Sequence, residues 1–268
     1  MNFVQKPKKS LGQNFLIDQN IINKIIKVCK IKKNKTILEI GAGSGNLTKK
    51  LFKLKPKKIY AVEKDKKLSI FLQNYFKNFK NINIINNDIM NLIDIQNFGK
   101  NIIVFGNLPY NISTQILASL ILLNKWPPWY ENLIFMFQKE VANRIIAKNG
   151  SKEFGRLSIL CNWRLDITKH FNISKNCFYP KPKVNSTLLS FKPKKKNFFN
   201  LKNPKNLEKI TRILFSNRRK KINKNFKKLF KNHNNFAQEI GLDLNKRPEE
   251  LSREIFYKIA KKYEDLTN

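Results

Sequence analysis

Acidic residues are scarce in this sequence, which has 18 Asp and Glu among its 268 residues against 54 Lys and Arg. The resulting formal charge of +36 predicts a polyanionic partner, with nucleic acid as the first candidate. The chain is also heavy in Lys, Asn, Ile and Phe, which suggests an A+T-rich coding bias, so mutational drift on solvated faces accounts for part of the excess. The remainder still indicates nucleic acid.

Cysteine and long apolar runs are scarce as well. The three cysteines, Cys29, Cys161 and Cys177, form no Cys-x-x-Cys pair or Cys/His cluster, which argues against a disulfide framework or a zinc site, and no metal is expected. No apolar run approaches the roughly 18 residues of a membrane helix. The basic start, Met1–Ser10, is not followed by the apolar segment of a secretory signal. We therefore expect a protein of the reducing cytoplasm with no membrane partner.

Glycine is uncommon, with nine residues in the chain, yet three of them fall within Gly41-Ala42-Gly43-Ser44-Gly45. This run lies between a predicted strand over 36–40 and a predicted helix that opens at Asn46. Glycines let the backbone turn sharply from strand to helix and let a ligand approach closely. A dinucleotide fingerprint places its third glycine where Asn46 stands, so the spacing favours S-adenosylmethionine over NAD and argues against a dehydrogenase.

Acidic side chains follow the next two predicted strands. Glu63 ends a strand over 59–63, at a distance from the glycine run where such folds place the carboxylate that accepts both ribose hydroxyls. Asp88 follows a strand over 82–85 and is placed to accept the adenine amino group of the cofactor. Further strands are predicted over 102–106, 132–137 and 187–191.

The strand over 102–106 stops abruptly at Asn107-Leu108-Pro109-Tyr110. Pro109 has no N–H and biases Leu108 away from helical conformation, which leaves carbonyl groups and an amide at the carboxyl end of a strand. Ligands bind at this edge of open α/β sheets. Amide and carbonyl acceptors beside a Tyr ring suit a planar base that carries an exocyclic amino group. A tight turn with a packed Tyr is the alternative interpretation.

Basic segments dominate the second half of the chain. The loop Lys148–Arg156 is either a phosphate contact or a mobile connection, and Leu157–Arg164 is either a helix or a strand. A basic linker over Lys192–Lys196 opens a region ending at Lys231 in which Glu208 is the only acid. Arg218-Arg219-Lys220-Lys221, on a predicted helix within it, is expected to contact phosphates. A final amphipathic helix is predicted to end near residue 263.

Taken together in this order, eight features resemble the bacterial small-subunit ribosomal RNA adenine dimethyltransferases of the KsgA/RsmA type, over essentially the whole chain. These features are Lys9–Leu16, Leu38–Gly45, Glu63, Asp88, Asn107–Tyr110, Phe178–Ser186, Phe215–Lys220 and Arg247–Leu251. Asn185 stands where the family often has Asp, and Asn217 stands where it commonly has Gln. Neither departure touches a residue with a predicted role.

The resemblance implies an α/β fold of the class I S-adenosylmethionine-dependent methyltransferases. A seven-stranded Rossmann-like sheet would occupy 1–192, and a small all-helical RNA-binding domain 193–268. It implies methyl transfer to the exocyclic amino groups of two adjacent adenosines, in a hairpin loop near the 3′ end of 16S rRNA. The partner would be the immature small ribosomal subunit, bound by a monomer with a role in subunit biogenesis.

The resemblance also assigns site residues. Cofactor contacts fall on Asn14, Leu16, Gly41, Glu63, Asp88 and Asn107. On the target base, Asn107 and the Leu108 carbonyl would accept hydrogen bonds from the amino group, and Tyr110 and Phe178 would stack on the ring.

Two competing functions share much of this pattern. Methyltransferases that act on large-subunit rRNA share the glycine run and a Phe-x-Pro loop, which is Phe178-Tyr179-Pro180 in this chain. Leu108 and the Arg218-Arg219 pair favour the small subunit instead. A non-catalytic nucleic-acid-binding protein on the same scaffold would show decay of the cofactor residues, whereas Gly41, Glu63 and Asp88 are intact.

Overall fold

The computed structural model describes residues 7–29, 31–94, 98–195, 199–230 and 232–267. The first six residues of the basic start, Lys196 of the linker and Lys231 therefore lie outside the described part. The chain divides into two compact units. The first unit contains Met1–Leu120, Pro127–Ala142 and Ile167–Pro193, and the second contains Ile121–Trp126, Asn143–Asp166 and Lys194–Asn268.

This division differs from the predicted boundary at residue 192, since two earlier segments join the second unit. The physical reason is that the helix over Arg156–Arg164 packs on helices of the C-terminal region. From Lys194 onward the described residues form helices and turns without a strand.

Strands and helices alternate through most of the first unit. The strands are β1 (Phe15–Leu16), β2 (Thr36–Ile40), β3 (Lys58–Glu63), β4 (Ile82–Asn86), β5 (Ile102–Gly106), β6 (Tyr130–Gln138), β7 (Leu165–Ile173), β8 (Phe178–Tyr179) and β9 (Ser186–Pro193). The α-helices of both units, among the residues described, are α1 (Gln19–Lys27), α2 (Asn46–Lys53), α3 (Lys66–Phe76), α4 (Ser113–Ile121), α5 (Lys139–Ile146), α6 (Arg156–Arg164), α7 (Lys205–Leu214), α8 (Asn223–Lys227), α9 (His233–Glu239) and α10 (Arg253–Thr267).

The predicted seven-stranded sheet is confirmed, with strand order β4-β3-β2-β5-β6-β9-β7. Strands β2 to β6 pair in parallel, and β9 runs antiparallel to β6. The chain adds β3 and β4 on one side of β2 and then returns to add β5 on the other side. The order reverses between β2 and β5, and such a switch point opens a crevice at the carboxyl ends of the strands.

Short capping signals fix where the first helices begin. The Asp18 carboxylate accepts N–H bonds of 2.8 Å from Asn20 and 3.0 Å from Ile21, which makes Asp18 the N-cap of α1. Asp65 caps α3 in the same way. One side of the sheet is packed by Ile22 and Ile25 of α1 and by Leu47 and Leu51 of α2, all of them buried.

Two parts of the strand pattern lie outside the sequence predictions. The edge strand β7 is largely polar on its exposed positions, so it lacks the apolar run by which the other strands were recognised. The two-residue strands β1 and β8 pair antiparallel, with Phe15 opposite Tyr179 and Leu16 opposite Phe178. This ribbon joins two motifs that are far apart in the sequence.

In the second unit, α6 resolves the undecided segment 157–164 as a helix. The Arg164 side chain is 1% exposed, and its Nη1 donates bonds of 2.9 and 2.8 Å to the carbonyls of Ile121 and Leu123. Its guanidinium also lies over the rings of Trp126 and Trp163. This buried cation holds an earlier segment of the chain to α6.

The predicted helix over Arg218–Lys221 is wrong, because α7 ends at Leu214 and α8 begins at Asn223. Ser216 turns its hydroxyl back to the Ile213 carbonyl at 2.9 Å, a local bond that competes with helix continuation. On a continued helix, Arg218 and Lys221 would also be like charges three residues apart on one face, which is unfavourable. The basic block therefore lies in a turn.

Candidate active site

A cavity lies at the carboxyl ends of β2, β3, β4 and β5, within the first unit. Its lining includes most of the predicted site residues, namely Asn14, Gly41, Glu63, Asp88, Asn107, Leu108 and Tyr110. The register explains this meeting, since Ile40 of β2 pairs with Val62 of β3 and with Gly106 of β5. The residues that follow these three, Gly41, Glu63 and Asn107, therefore lie side by side.

The glycine turn is tightly packed where it meets the cavity. Gly43 has a φ of +57°, and a Cβ there would lie 2.9 Å from Cδ1 of Phe15. A side chain at this position would be strained by the backbone and would collide with the ring. The glycine therefore serves two purposes, the strand-to-helix turn and the close packing of the segment that contains Phe15.

Glu63 is a buried carboxylate fixed by the main chain. Its Oε2 accepts the Gly43 N–H and its Oε1 accepts the Asp65 N–H, each at 2.8 Å. Burial raises the pKa of Glu63, and the two N–H bonds partly offset that rise. The carboxylate keeps lone pairs for further donors, so its position and chemistry fit a pair of ribose hydroxyls.

Asp88 already has a partner at the edge of the cavity. Its Oδ2 lies 2.8 Å from Lys64 Nζ, and its Oδ1 accepts the Met90 N–H at 3.0 Å. Burial acts to raise the pKa of Asp88, but the bonds from Lys64 and Met90 outweigh burial and lower it. A ligand amino group here would either share the Asp88 carboxylate with the exposed Lys64 ammonium or displace that ammonium from it.

Residues 8–16 are called the N-terminal strap below. Ser10 to Phe15 line one side of the cavity, and three side-chain contacts hold the strap in place. Lys8 Nζ lies 2.9 Å from Asp65 Oδ2, and Gln13 Nε2 donates to the same oxygen at 3.2 Å. Asn46 Nδ2 donates to the Leu16 carbonyl at 2.9 Å. The sequence patterns did not predict the role of Asp65 as an anchor of the strap. They did hold a signal for Asn46, because this residue stands where a dinucleotide fingerprint has its third glycine.

Asn107 has its amide orientation set by the strap. Its Nδ2 donates to the main-chain carbonyl of Asn14 at 2.7 Å. A main-chain carbonyl only accepts hydrogen bonds, so this contact settles which end of the amide faces Asn14. The Oδ1 atom is then the end that can accept a hydrogen bond from a ligand in the cavity.

Tyr110 is tied to the end of β9. Its hydroxyl lies 2.7 Å from the hydroxyl of Ser186, which is fully buried. Burial raises the pKa of Tyr110, and the bond with Ser186 offsets part of that rise. The ring therefore stays neutral near pH 7 and keeps a fixed position in the cavity wall.

Leu16 and Phe178 were predicted to contact ligands, but the structure does not bring their side chains to the cavity. They face each other across the ribbon of β1 and β8 and are 4% and 3% exposed within the core. Directly paired residues point to the same face, so Phe15 and Tyr179 share the opposite face. Phe15 lines the cavity, and Tyr179 is 41% exposed.

Glu39 is a second buried carboxyl group near the glycine turn. It belongs to β2 and is 2% exposed. Burial raises the pKa of Glu39 to about 8, and the neighbouring Thr48 opposes part of this rise. The group is thus largely protonated at pH 7.

Among the described residues, no three His, Cys, Asp or Glu side chains lie together in a group that could hold a metal ion. Within the same residues, no helix is long and apolar enough to cross a membrane.

Residues 4–265 match the family described as "Ribosomal RNA adenine dimethylase". The chain belongs to this family. The dimethylase is also 51% identical over 261 residues to the "Ribosomal RNA small subunit methyltransferase A" of Pelagibacter ubique, which covers 97% of this chain and 98% of the relative.

Two solved structures resemble the dimethylase along most of its length. A dimethyladenosine transferase from Plasmodium falciparum superposes with a TM-score of 0.73 at 28% identity, covering 91% of this chain and 95% of that one. The 23S rRNA methyltransferase ErmE gives a TM-score of 0.68 at 18% identity, covering 94% and 99%. At that identity, ErmE supports the fold alone.

The dimethylase uses S-adenosylmethionine, which supplies a methyl group already activated on a sulfonium. The cavity fits this donor, since a buried carboxylate, a glycine turn and a strand-end acid converge there. Glu63 would hold the ribose, Asp88 the adenine amino group, and Gly41 would let the main chain approach the ligand. The Asn14 carbonyl, already bonded to Asn107, would border the same site.

Proposed function

We propose that this dimethylase methylates the exocyclic amino groups of two adjacent adenosines in the hairpin loop near the 3′ end of 16S rRNA, within the immature small ribosomal subunit. One observation supports the chemistry above all, the Asn107 amide whose oxygen is left to accept a hydrogen bond in the cavity. The choice of subunit is supported by the Pelagibacter relative, whose name specifies the small subunit.

Asn107 and Leu108 would activate the target nitrogen. The amino group of adenine shares its lone pair with the ring and is a poor nucleophile. Hydrogen bonds from its two N–H groups to Asn107 Oδ1 and to the Leu108 carbonyl favour a pyramidal nitrogen with its lone pair free. Fixed dipoles then stabilise the positive charge that develops on this nitrogen.

Tyr110 would position the base, because its ring borders the cavity and its hydroxyl is fixed by Ser186. Phe178 is proposed as the second stacking ring, which requires it to leave the core position that it now occupies. A Phe178→Leu variant keeps an apolar side chain in the core. We expect it to fold and to lose turnover through the missing ring.

The reaction needs no strong general base, since the proton on the methylated nitrogen is acidic enough to pass to water. Neither histidine of the chain borders the cavity. His170 lies on β7, with Nε2 2.7 Å from the Ser190 hydroxyl.

The RNA would be held by phosphate contacts that do not read sequence. The second unit offers a hollow lined by amide and ammonium groups, from Asn217, Lys220, Lys221, Asn223, Lys224, Asn225 and Lys227. Unstacked bases in an RNA loop would leave the target adenine accessible. We propose that the enzyme acts as a monomer in the cytoplasm, where its three free cysteines would stay reduced.

The deciding experiment is transfer of radiolabelled methyl groups from S-adenosylmethionine to immature small subunits from cells that lack this activity, with the products mapped. Dimethyladenosine at two adjacent loop positions is the expected result. Labelling confined to large-subunit RNA would overturn the proposed substrate. Absence of labelling with intact cofactor binding would overturn the role of Asn107.

A further inference from the structure

Within the second unit, the loop 148–156 is held by a chain of contacts. The Glu249 carbonyl accepts the Gly150 N–H at 2.8 Å. The Glu249 carboxylate accepts Nε–H of Arg218, and Nη2–H of Arg218 donates to the Lys152 carbonyl. The loop is therefore fastened at two points by Arg218 and Glu249, which come from different turns of the chain.

Two further contacts anchor the loop where it meets the helices. At its start, Arg253 Nη2 donates to the Ala147 carbonyl. Near its end, Phe154 is fully buried, with its ring centroid 6.5 Å from that of Phe215. The segment is thus an ordered loop that is anchored near both of its ends.

The charged side chains of this loop point to solvent. Lys148, Lys152 and Arg156 are exposed, together with one acid, Glu153. In the basic block, Arg219, Lys220 and Lys221 are exposed too, whereas Arg218 is only partly exposed and engaged with the loop. Of the four cations in the basic block, Arg218 is therefore engaged within the protein, whereas the other three face solvent.

We propose that the loop 148–156 is a preformed surface for RNA phosphates and that Arg218 is a positioning residue that fixes its shape. The inference rests on the proposed RNA substrate. A planar guanidinium can donate to a carboxylate and a carbonyl in two fixed directions, which one ammonium group cannot reproduce. A loop that is already ordered loses less conformational entropy when its cations bind phosphates.

The test compares single variants of the full chain, without S-adenosylmethionine, so that its outcome does not depend on methyl transfer. Hydrogen exchange of the loop amides reports order, and the salt dependence of binding reports phosphate contacts. The probes are a 16S rRNA fragment that contains the hairpin and a scrambled RNA of the same length. Phosphate contacts should affect both RNAs alike.

Arg218→Lys keeps the charge and is the key variant. We expect exchange at the Gly150 amide to rise about tenfold or more and affinity for both RNAs to fall several-fold. Arg219→Ala is the matched control, expected to leave loop exchange unchanged and to reduce the salt slope by roughly 0.7 to 0.9, the value of one phosphate contact. Replacing Lys148, Lys152 and Arg156 together by Ala should reduce the slope by up to about three such contacts.

Two results would overturn the proposal. The first combines two observations: hydrogen exchange of the loop in Arg218→Lys is the same as in the wild type, and Arg218→Ala lowers the salt slope of RNA binding by as much as Arg219→Ala does. Arg218 would then be an ordinary phosphate contact. The other is wild-type RNA affinity in the triple loop variant. RNA binding with the expected slopes but no methylation would refute the substrate proposal and leave this one standing.

Discussion

The Nδ2 atom of Asn107 donates a 2.7 Å hydrogen bond to the main-chain carbonyl of Asn14, so a segment 93 residues earlier orients this amide. The contact leaves Asn107 Oδ1 to accept a hydrogen bond from the base. The strap therefore does more than cover the cavity, because it also sets the direction of the group proposed to activate the nucleophile.

Asn107→Ala should abolish most methyl transfer while leaving the fold intact. Loss of one preorganised hydrogen-bonding group at a reacting centre typically costs roughly 10²- to 10³-fold in turnover. Single-turnover rates on immature subunits and a thermal unfolding curve measure the two effects. The control is Asn74→Ala, the same change on an exposed position of α3. Near-normal turnover of Asn107→Ala would contradict the mechanism.

Asn107→Asp tests the hydrogen bond that orients residue 107 separately from the oxygen that accepts from the base. The carboxylate has an oxygen to accept from the base, but it cannot donate to the Asn14 carbonyl, and two acceptors would then face each other. We expect turnover to fall here as well, by about tenfold or more. Full activity in this variant would show that the bond to Asn14 has no catalytic importance.

Tyr110→Phe and Ser186→Ala should act on the same contact. Each removes one partner of the 2.7 Å hydroxyl pair and keeps the ring or the strand in place. We expect a fall in turnover of about three- to tenfold in each, with the affinity for S-adenosylmethionine unchanged. The double variant should be no worse than either single variant, because both lose the same interaction.

Ser190→Ala is the matched control for this cycle. Ser190 lies on the same strand, and its hydroxyl is bonded to His170 rather than to the cavity wall. Its turnover should stay at the wild-type value. Additive losses in the double variant would mean that Tyr110 and Ser186 act independently.

Local patterns predicted the parts of the site that are built at strand ends. Gly41, Glu63 and Asn107 each directly follow or end a strand with a strong apolar run, so parallel pairing brings them together. The strap could not be predicted this way, since its partner Asp65 and the Phe15–Tyr179 pair are set by tertiary contacts. A two-residue strand carries no periodicity.

Composition could not separate the roles of neighbouring cations. Arg218 and Arg219 are identical in sequence terms, yet one is bonded to Glu249 and the other is exposed. The difference depends on where the turn after α7 meets the chain near Pro248. The same limit applies to Phe178 and Tyr179, whose opposite faces follow from pairing with β1.

Asp65→Asn should loosen the strap while keeping the helix cap. Asn is as good an N-cap as Asp, but it cannot form the ion pair with Lys8. We expect faster dissociation of S-adenosylmethionine, measured by stopped-flow displacement. The control is Asp18→Asn, which caps α1 without contacting the strap ion pair. Equal dissociation rates in the wild type and Asp65→Asn would contradict a closing role for the strap.

The same variant has a predictable pH signature. Burial acts to raise the pKa of Asp65, but the bonds from Lys8 and Gln13 outweigh it and lower the pKa below the ordinary value of 3.8. The stabilisation is therefore fully present above that value and is lost as the pH falls through the folded-state pKa. The stability gap between wild type and Asp65→Asn should narrow only below about pH 4.

Glu39 should produce the opposite pH dependence. Burial raises its pKa from 4.5 to about 8, so the folded state holds a proton that the unfolded state has released across this window. The free energy of unfolding should fall as the pH rises from 4.5 to 8, by up to about 1.4 kcal/mol for each pH unit. The charge of Glu63 raises the pKa of Glu39 further and Thr48 lowers it, so both neighbours affect the titration of Glu39.

Glu39→Gln replaces the protonated carboxyl with a neutral group of similar shape. Its unfolding free energy should equal that of the wild type near pH 4 and exceed it at pH 8, measured by denaturant unfolding at each pH. Part of the slope will persist, because burial also raises the pKa of Glu63. Glu254→Gln, on an exposed position of α10, should leave the slope unchanged. A wild-type slope in Glu39→Gln would show that Glu39 is ionised in the folded protein at neutral pH.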